Sequence, residues 1–302
     1  MIDLHGHAKG EHLPFGRERP VPYTPRAIFS WFASAAAGGN VRTIALTDHL
    51  NLATTLDAAA VRTARRALRL AAEGDVVRAA QVADVWLEPA ATLARELGRG
   101  LRCPIGVEAD NDPRVTDAIG LAMRSCEPEL IVRSIHFLEF EHPKTGEPWM
   151  WPFDNPEFAY LYGHYGRRAT WERYATTLLD AIDTQATDVV GHFYVPAKFG
   201  HWPAPADLEA YEDRLIAVCA RRSLAVEFNT RALYRGSSAH RETYLHVHTR
   251  LLEKAAAAGV PVALGSDAHR ADERGRGFEA ALELLSRVRG IDLYSPRAKV
   301  LA

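Results

Sequence analysis

The chain has 302 residues, 47% hydrophobic and 25% charged, with a formal net charge of -2. That length suits one large α/β domain or two small ones, and the near-neutral balance excludes an overall basic field that would draw the chain to nucleic acid or a membrane surface. Cys103, Cys126 and Cys219 are odd in number and far apart, which argues against a disulfide framework and for a reducing compartment.

The first element is "MIDLH", where Ile2 and Leu4 bracket Asp3. Side chains two apart on a strand share a face, so His5 and His7 would stand side by side. Asp3 and His5 occupy the place where a signal peptide would need its apolar core. No apolar run approaches the ~20 residues of a membrane span. A cytoplasmic protein is the expectation. Pro25–Ala37 has helical periodicity, and "RTIALTDH" is a second strand, ending at His49.

The alanine- and arginine-rich segment Asp57–Arg99 is long for one crossover. It predicts a helical hairpin, Asp57–Ala72 and Val76–Leu97, broken near Gly74 and inserted outside the main fold or over its mouth. Strands follow in "LRCPIGVEAD" around Glu108 and in "LIVRSIH" to His136. Glu141–Phe158, rich in proline and tryptophan, is expected to be a loop: a lid, a substrate wall, or a packed surface loop. The remaining strands are "TDVVGH" to His192, "SLAVEFN" to Asn229 and "VPVALGSDAH" to His269. Helices at Trp171–Ile182, Asp207–Ala220, Tyr244–Ala258 and Phe278–Val288 alternate with them. Strand–helix alternation with apolar strands implies parallel βα units. Seven such strands predict a barrel, or a broken relative of one, as a single domain over residues 1–302.

Each strand ends in a side chain able to bind a metal or a ligand. Active sites of β/α barrels lie at the carboxyl ends of the strands. His49, Glu108, His136, His192, Asp267 and His269 should therefore meet His5 and His7 on one face. Imidazoles and carboxylates without thiolates suit zinc, manganese or iron. Their number exceeds what one ion needs, and Glu108 could bridge two. Paired metals hold a bridging hydroxide as nucleophile, so hydrolysis is the expected chemistry. His246 and His248 repeat the HxH spacing inside a helix-like run, where about 200° of rotation parts the rings. His142, His164, His201 and His240 read as peripheral, with His142 or His164 near enough to touch substrate.

The motifs "DLHGH", "TDH", "GVE", "SIHFL", "GH", "EFNT" and "GSDAH" resemble, in order and over nearly the whole chain, those of the PHP (polymerase and histidinol phosphatase) family. "VVGHFYVPAKFG" and "VEFNTRALYRG" resemble its histidinol-phosphatase branch. The resemblance implies a distorted (βα)7 TIM-like barrel of parallel strands around a trinuclear centre of divalent ions. By matching position, His5, His7, Glu108 and Asp267 would hold the first metal. Glu108 would bridge to a second, with His136 and His192, and His12, His49 and His269 would hold the third. The branch usually carries arginines, implied to bind the substrate phosphate, where this chain has Ala197 and Tyr234. Arg231, Arg235, Lys198 and Arg270 stand nearby as substitutes.

The leading expectation is a phosphatase acting on a small organic phosphate. A metal-bridging hydroxide would attack phosphorus, Glu108 would hold the metals together, and Asp267 or His269 would carry the proton to the leaving oxygen. Asn229 faces the same mouth and could contact substrate, and Asp3 is expected to orient a ligating histidine. The missing arginines and the tryptophans Trp149 and Trp151 leave open an amide, ester or cyclic C–N substrate. A non-catalytic or nucleic-acid-acting module, suggested by the stripe Arg62, Arg65, Arg66 and Arg69, ranks last. The sequence does not specify an oligomeric state.

Overall fold

A computed structural model describes residues 1–8, 22–38, 41–50, 56–111 and 116–296. In chain order the elements are β1 (Ile2–Asp3), α1 (Pro25–Ala36), β2 (Thr43–Ile44), β3 (His49–Leu50), α2 (Ala58–Ala72), α3 (Val76–Ala83), α4 (Leu87–Gly98), β4 (Val107–Ala109), α5 (Thr116–Cys126) and β5 (Ile131–Arg133). There follow β6 (Leu138–Glu141), β7 (Pro148–Trp151), α6 (Leu161–Tyr165), α7 (Arg167–Thr184), β8 (Val189–Val190), α8 (Pro205–Arg222), β9 (Ala225–Asn229), α9 (Arg231–Arg235), α10 (Ser238–Ala257), β10 (Val262–Gly265) and α11 (Phe278–Arg287). Every one of the seven apolar runs contains a strand, the second being split into β2 and β3.

Six strands form a parallel sheet in the order β10-β9-β8-β5-β4-β3, and β1 pairs in parallel with β2. Parallel strands need crossovers, and the amphipathic helices supply them. Backbone hydrogen bonds run from Leu4 N–H to the Leu264 carbonyl (2.8 Å) and from Asp267 N–H to the His5 carbonyl (2.9 Å). On the other side Ile44 N–H reaches the Arg102 carbonyl at 2.9 Å. Leu4, Ala45, Leu130, Val132, Val189, Ala225 and Ala263 pack together as a small cluster of their own. The largest core lies between the second half of the sheet and α7, α8, α10 and α11.

The insertion folds as three helices where a hairpin was expected. Asp57 caps α2 by accepting from Ala59 N–H and Ala60 N–H. Gly74, at φ +85°, makes the first break, and Asp84, at φ +54°, makes a second that the periodicity does not reveal. Ala60, Ala64, Ala67 and Ala71 are buried at helical spacing and let α1 to α4 pack around a core of their own. Arg62, Arg66 and Arg69 are exposed, whereas the Arg65 guanidinium donates to the Cys126 and Glu127 carbonyls.

Residues 141–158 contain a strand of their own. β6 and β7 form an antiparallel hairpin, with Trp151 fully buried and Trp149 Nε1–H donating to Tyr165 Oη at 2.9 Å. Pro148 begins β7, a position that asks for no ladder hydrogen bond from its nitrogen. Among the described residues, no helix is long and apolar enough to cross a membrane.

Candidate metal centre

His5, His7, His49, Glu108, His136, His192, Asp267 and His269 come together at the carboxyl ends of the parallel strands. Glu108, on β4, sits at the centre and is buried. Its two oxygens face different partners. Oε2 lies 2.7 Å from His49 Nδ1, 3.4 Å from His5 Nε2 and 3.6 Å from His7 Nε2. Oε1 lies 2.7 Å from His192 Nε2 and 3.5 Å from His136 Nε2. Asp267 Oδ1 stands 3.2 Å from His7 Nε2. Three sets bring their ligand atoms within 4.8 Å of one another: His5, His7 and Asp267; His7, His49 and His269; and His49, Glu108 and His136. His12 lies outside the described residues.

Carboxylates fix the rings. Glu227, on β9, accepts from His5 Nδ1–H at 2.7 Å through Oε1, and from His192 N–H at 2.6 Å through Oε2. Asp110, just past β4, accepts from His136 Nδ1–H at 2.8 Å and from His136 N–H at 2.7 Å. A ring that donates through Nδ1 presents the Nε2 lone pair to a cation. Gly265 makes the first contact possible, because a Cβ there would fall 2.0 Å from Glu227 Oε1. Asp267 adopts φ +50°, a left-handed conformation uncommon outside glycine and asparagine-like residues.

The donor set fits divalent cations. His5 Nε2, His7 Nε2 and Glu108 Oε2 are buried facing one another, His49 and Asp267, and His7 Nδ1 is buried without a hydrogen-bond partner among the described residues. Buried polar atoms are rarely left so. Burial opposes charge on Glu108, but His49, His5 and His136 outweigh it and hold the carboxyl well below its usual range. Burial likewise opposes charge on Asp267, and Arg231 and His5 hold it low. His7 is pushed well below the ordinary imidazole range by burial, then by His49 and His269. Burial also opposes charge on His5, His49 and His136, but the neighbouring carboxylates raise all three, the last to about 10, so a divalent cation would bind by displacing protons from these rings.

The remaining expected residues divide. Asn229 is buried, its amide donating to Glu227 and Asp267 and its oxygen accepting from Arg231 N–H. Its side chain is thus engaged by the protein. Arg231 donates to the Asp267 carbonyl and lies against His269 Nδ1. Lys198 faces Asp154 at 3.4 Å, and Arg235 pairs with buried Glu273. Arg270 is exposed and pairs with Asp272. Asp3 Oδ1 lies 3.5 Å from the His5 backbone N–H, which donates to it. Asp3 also accepts from Ser266 N–H and Oγ–H and from Gly275 N–H, and so pins the β10 turn, while Glu227 and Asp110 orient the imidazoles. His246 is exposed and His248 buried, on diverging faces of α10.

A cleft of about 770 Å³ opens beside the cluster. His49, His136, His192, Asp267 and His269 form its floor. Asp154, Asn155 and Pro156, which follow the hairpin, form one side, and Lys198, Phe199 and Trp202 another. His240, read as peripheral, also lines it, whereas His164 is exposed and absent from the lining.

No protein-family model matches the chain. It is 30% identical over 197 residues to a protein of Deinococcus radiodurans described as a probable histidinol-phosphatase, a match covering 65% of this chain and 68% of that one. It is 27% identical over 202 residues to the histidinol-phosphatase of Bacillus subtilis, covering 63% and 72%. Among solved structures it resembles histidinol phosphate phosphatase of Lactococcus lactis, complexed with zinc, L-histidinol and phosphate. That match has a TM-score of 0.64 at 17% identity and covers 97% of this chain and 95% of the other. A putative histidinol phosphatase of Listeria monocytogenes gives 0.57 at 16% identity, covering 93% and 99%. These likenesses and the cation-binding cluster define the class: a metal-dependent phosphatase with an α/β fold and a parallel sheet. The chain belongs to the PHP family, in its histidinol-phosphatase-like branch.

Proposed function

We propose that the chain hydrolyses a small organic phosphate monoester at two or three divalent ions, held at the mouth of a distorted seven-stranded barrel. The observation that carries this reading is the division of Glu108, one oxygen toward His5, His7 and His49 and the other toward His136 and His192. His5, His7, Glu108 and Asp267 would hold one ion. Glu108, His136 and His192 would hold a second, and His49 and His269, joined by His12, a third. Zinc, manganese and iron all suit such ligands. Bound there, the ions supply Lewis acidity that makes water acidic near neutral pH and offsets phosphate charge.

The protein's own groups do the rest. Arg231, from the first turn of α9, brings a guanidinium against Asp267 and His269 and serves as the anion anchor in place of the missing arginines. Water adds to phosphorus, the P–O bond to the alcohol breaks, and a proton passes to the departing oxygen. Asp267 and His269, both lining the cleft after β10, are the groups that move it. The hydrogen bonds joining β1 to β10 and β2 to the segment before β4, with the small cluster between strands, support the barrel. We read the chain as a single domain with α2–α4 inserted. Free Cys103, Cys126 and Cys219 fit the cytoplasm.

Elemental analysis of the purified protein, joined to a screen of phosphate esters against amide and ester substrates, tests the reading. Bound divalent metal and metal-dependent phosphate release are expected. Turnover of carbonyl substrates alone would reject it.

A further inference from the structure

The short helix α9 carries Arg231 and Arg235 at a spacing of four, which turns both toward one side, and both grip the segment that follows β10. Arg231 donates to the Asp267 carbonyl and lies against His269 Nδ1. Arg235 pairs with Glu273 Oε1, and Glu273 Oε2 accepts from the His269 backbone N–H at 3.2 Å. Just before α9, the Thr230 hydroxyl donates to the Arg276 carbonyl. The segment itself closes around Glu273, whose N–H reaches the Arg270 carbonyl and whose carbonyl accepts from Arg276 N–H, both at 3.0 Å. Gly277, at φ +79°, lets the chain pass close to α9, because a Cβ there would fall 3.0 Å from Thr230 Cβ. The helix and the turn that carries His269 are thus one unit, joined through Thr230, Arg231 and Arg235.

Within this unit Glu273 is the group for which burial is costly. Its side chain is 2% exposed, against 54% for Arg235. A carboxylate withdrawn from water needs a charge partner and hydrogen bonds, and removing one partner of such a pair leaves the other charge uncompensated. The two oxygens of Glu273 face the Arg235 guanidinium and the His269 N–H, so the pair fixes the backbone from which the imidazole projects. His269 Nδ1 lies 3.0 Å from the Asp267 carbonyl, which makes Nε2 the ligand atom. The ligand atoms of His7, His49 and His269 all lie within 4.8 Å of one another, a spacing that a shift of the His269 turn would open. Arg235 lines the cleft, but its charge is taken up by Glu273.

Resting on the reading of His49 and His269 as ligands of one ion, we propose that Arg235 and Glu273 are positioning residues for that ion. The pair holds His269 in place, and Arg235 serves the cation site rather than the substrate phosphate. The test is a zinc titration of the full chain against a competing chelator, resolving the affinity of each ion, with binding of inorganic phosphate measured by calorimetry at saturating zinc. Arg235→Met and Glu273→Gln should each weaken one ion by about tenfold or more. The other ions should stay within about twofold, which also shows that the variants are folded. The double variant should weaken that ion no further than either single one, because the two side chains act together. Arg235→Lys, which keeps a cation within reach of Glu273, should restore most of the loss. Phosphate binding by Arg235→Met at saturating zinc should stay within about twofold of the unaltered chain. Weakened phosphate binding in Arg235→Met, with every ion held as before, would make Arg235 a phosphate ligand and overturn the proposal. A lowered thermal midpoint with unchanged ion affinities, or equal weakening of all ions, would overturn it too, by reducing the pair to a support of the fold. If the unaltered chain binds no zinc, the metal reading itself is rejected and the proposal falls with it.

Discussion

Glu227→Gln isolates the carboxylate that sets up the centre without belonging to it. Glu227 is buried, and its two oxygens accept from His5 Nδ1–H at 2.7 Å and His192 N–H at 2.6 Å. Glutamine has the same shape but offers one acceptor and one donor. If the amide nitrogen turns to His192, two N–H groups oppose each other at a backbone that cannot move away. If it turns to His5, the ring must switch tautomer, placing the proton on Nε2 and removing the lone pair aimed at the cation. Either orientation loses one charge-assisted hydrogen bond, worth about 1.5–3 kcal/mol in a buried setting. The same figure follows from metal sites generally, where losing such a partner lowers affinity ten- to hundredfold. The assay is competition for zinc against a chromogenic chelator, followed by kcat at saturating metal. Metal affinity should fall ten- to hundredfold, and kcat should recover to within severalfold once the metal is restored. Unchanged metal affinity with a lost kcat would refute the reasoning and place Glu227 on the substrate instead.

Gly265→Ala puts a methyl group 2.0 Å from Glu227 Oε1 and 2.6 Å from His5 Cβ, so it should release metal more severely than Glu227→Gln in the same competition assay. Arg231→Ala should raise KM and weaken inhibition by inorganic phosphate about tenfold or more, while Arg270→Ala should leave both unchanged; equal effects would remove Arg231 from the site. His248, stacked on Phe228 at 4.5 Å, is held at a pKa of about 3 by burial, against an ordinary 6.5. Above pH 6.5 it contributes nothing to the pH dependence, but below that the unfolded chain takes up a proton that the folded one refuses. Stability should therefore fall by about 1.4 kcal/mol per pH unit on this account. His248→Phe should remove that slope, so that urea midpoints of the two proteins converge or cross as pH drops from 7 to 5; parallel curves would show His248 protonated in the fold.

The cluster was legible because the chemistry of strand ends is written in residue type and position together. His5, His49, Glu108, His136, His192 and Asp267 each close an apolar run, and parallel strands bring such ends to one face. Glu227 and Asp110 were less visible. Each sits two residues from a residue singled out, Asn229 and Glu108, and so shares its face of the strand, but a carboxylate there also reads as an ordinary cap. Period-two spacing was the available signal. The β6–β7 hairpin was hidden because Pro148 and a run of tryptophans resemble a loop until the partner strand is known.

The side chains at positions 197 and 234 are explained by packing. Ala197 is completely buried, among large side chains of the main core, and leaves no room for a guanidinium without displacing them. Tyr234 donates its hydroxyl to the Ser266 carbonyl, and its ring carries the Arg276 guanidinium 4.9 Å from its centre. Both positions that hold arginine in the branch are therefore given over to structure here. Arg231 opens α9 beside Asp267, and on the proposed reading it is a cation able to face a phosphate without unpicking that packing. Restoring arginine at Tyr234 in the presence of Arg231 should accordingly destabilise the fold, through the lost Ser266 bond and the opposed Arg276 charge, rather than tighten phosphate binding. A thermal midpoint unchanged by Tyr234→Arg, with tighter phosphate inhibition, would show that an arginine at this position still fits.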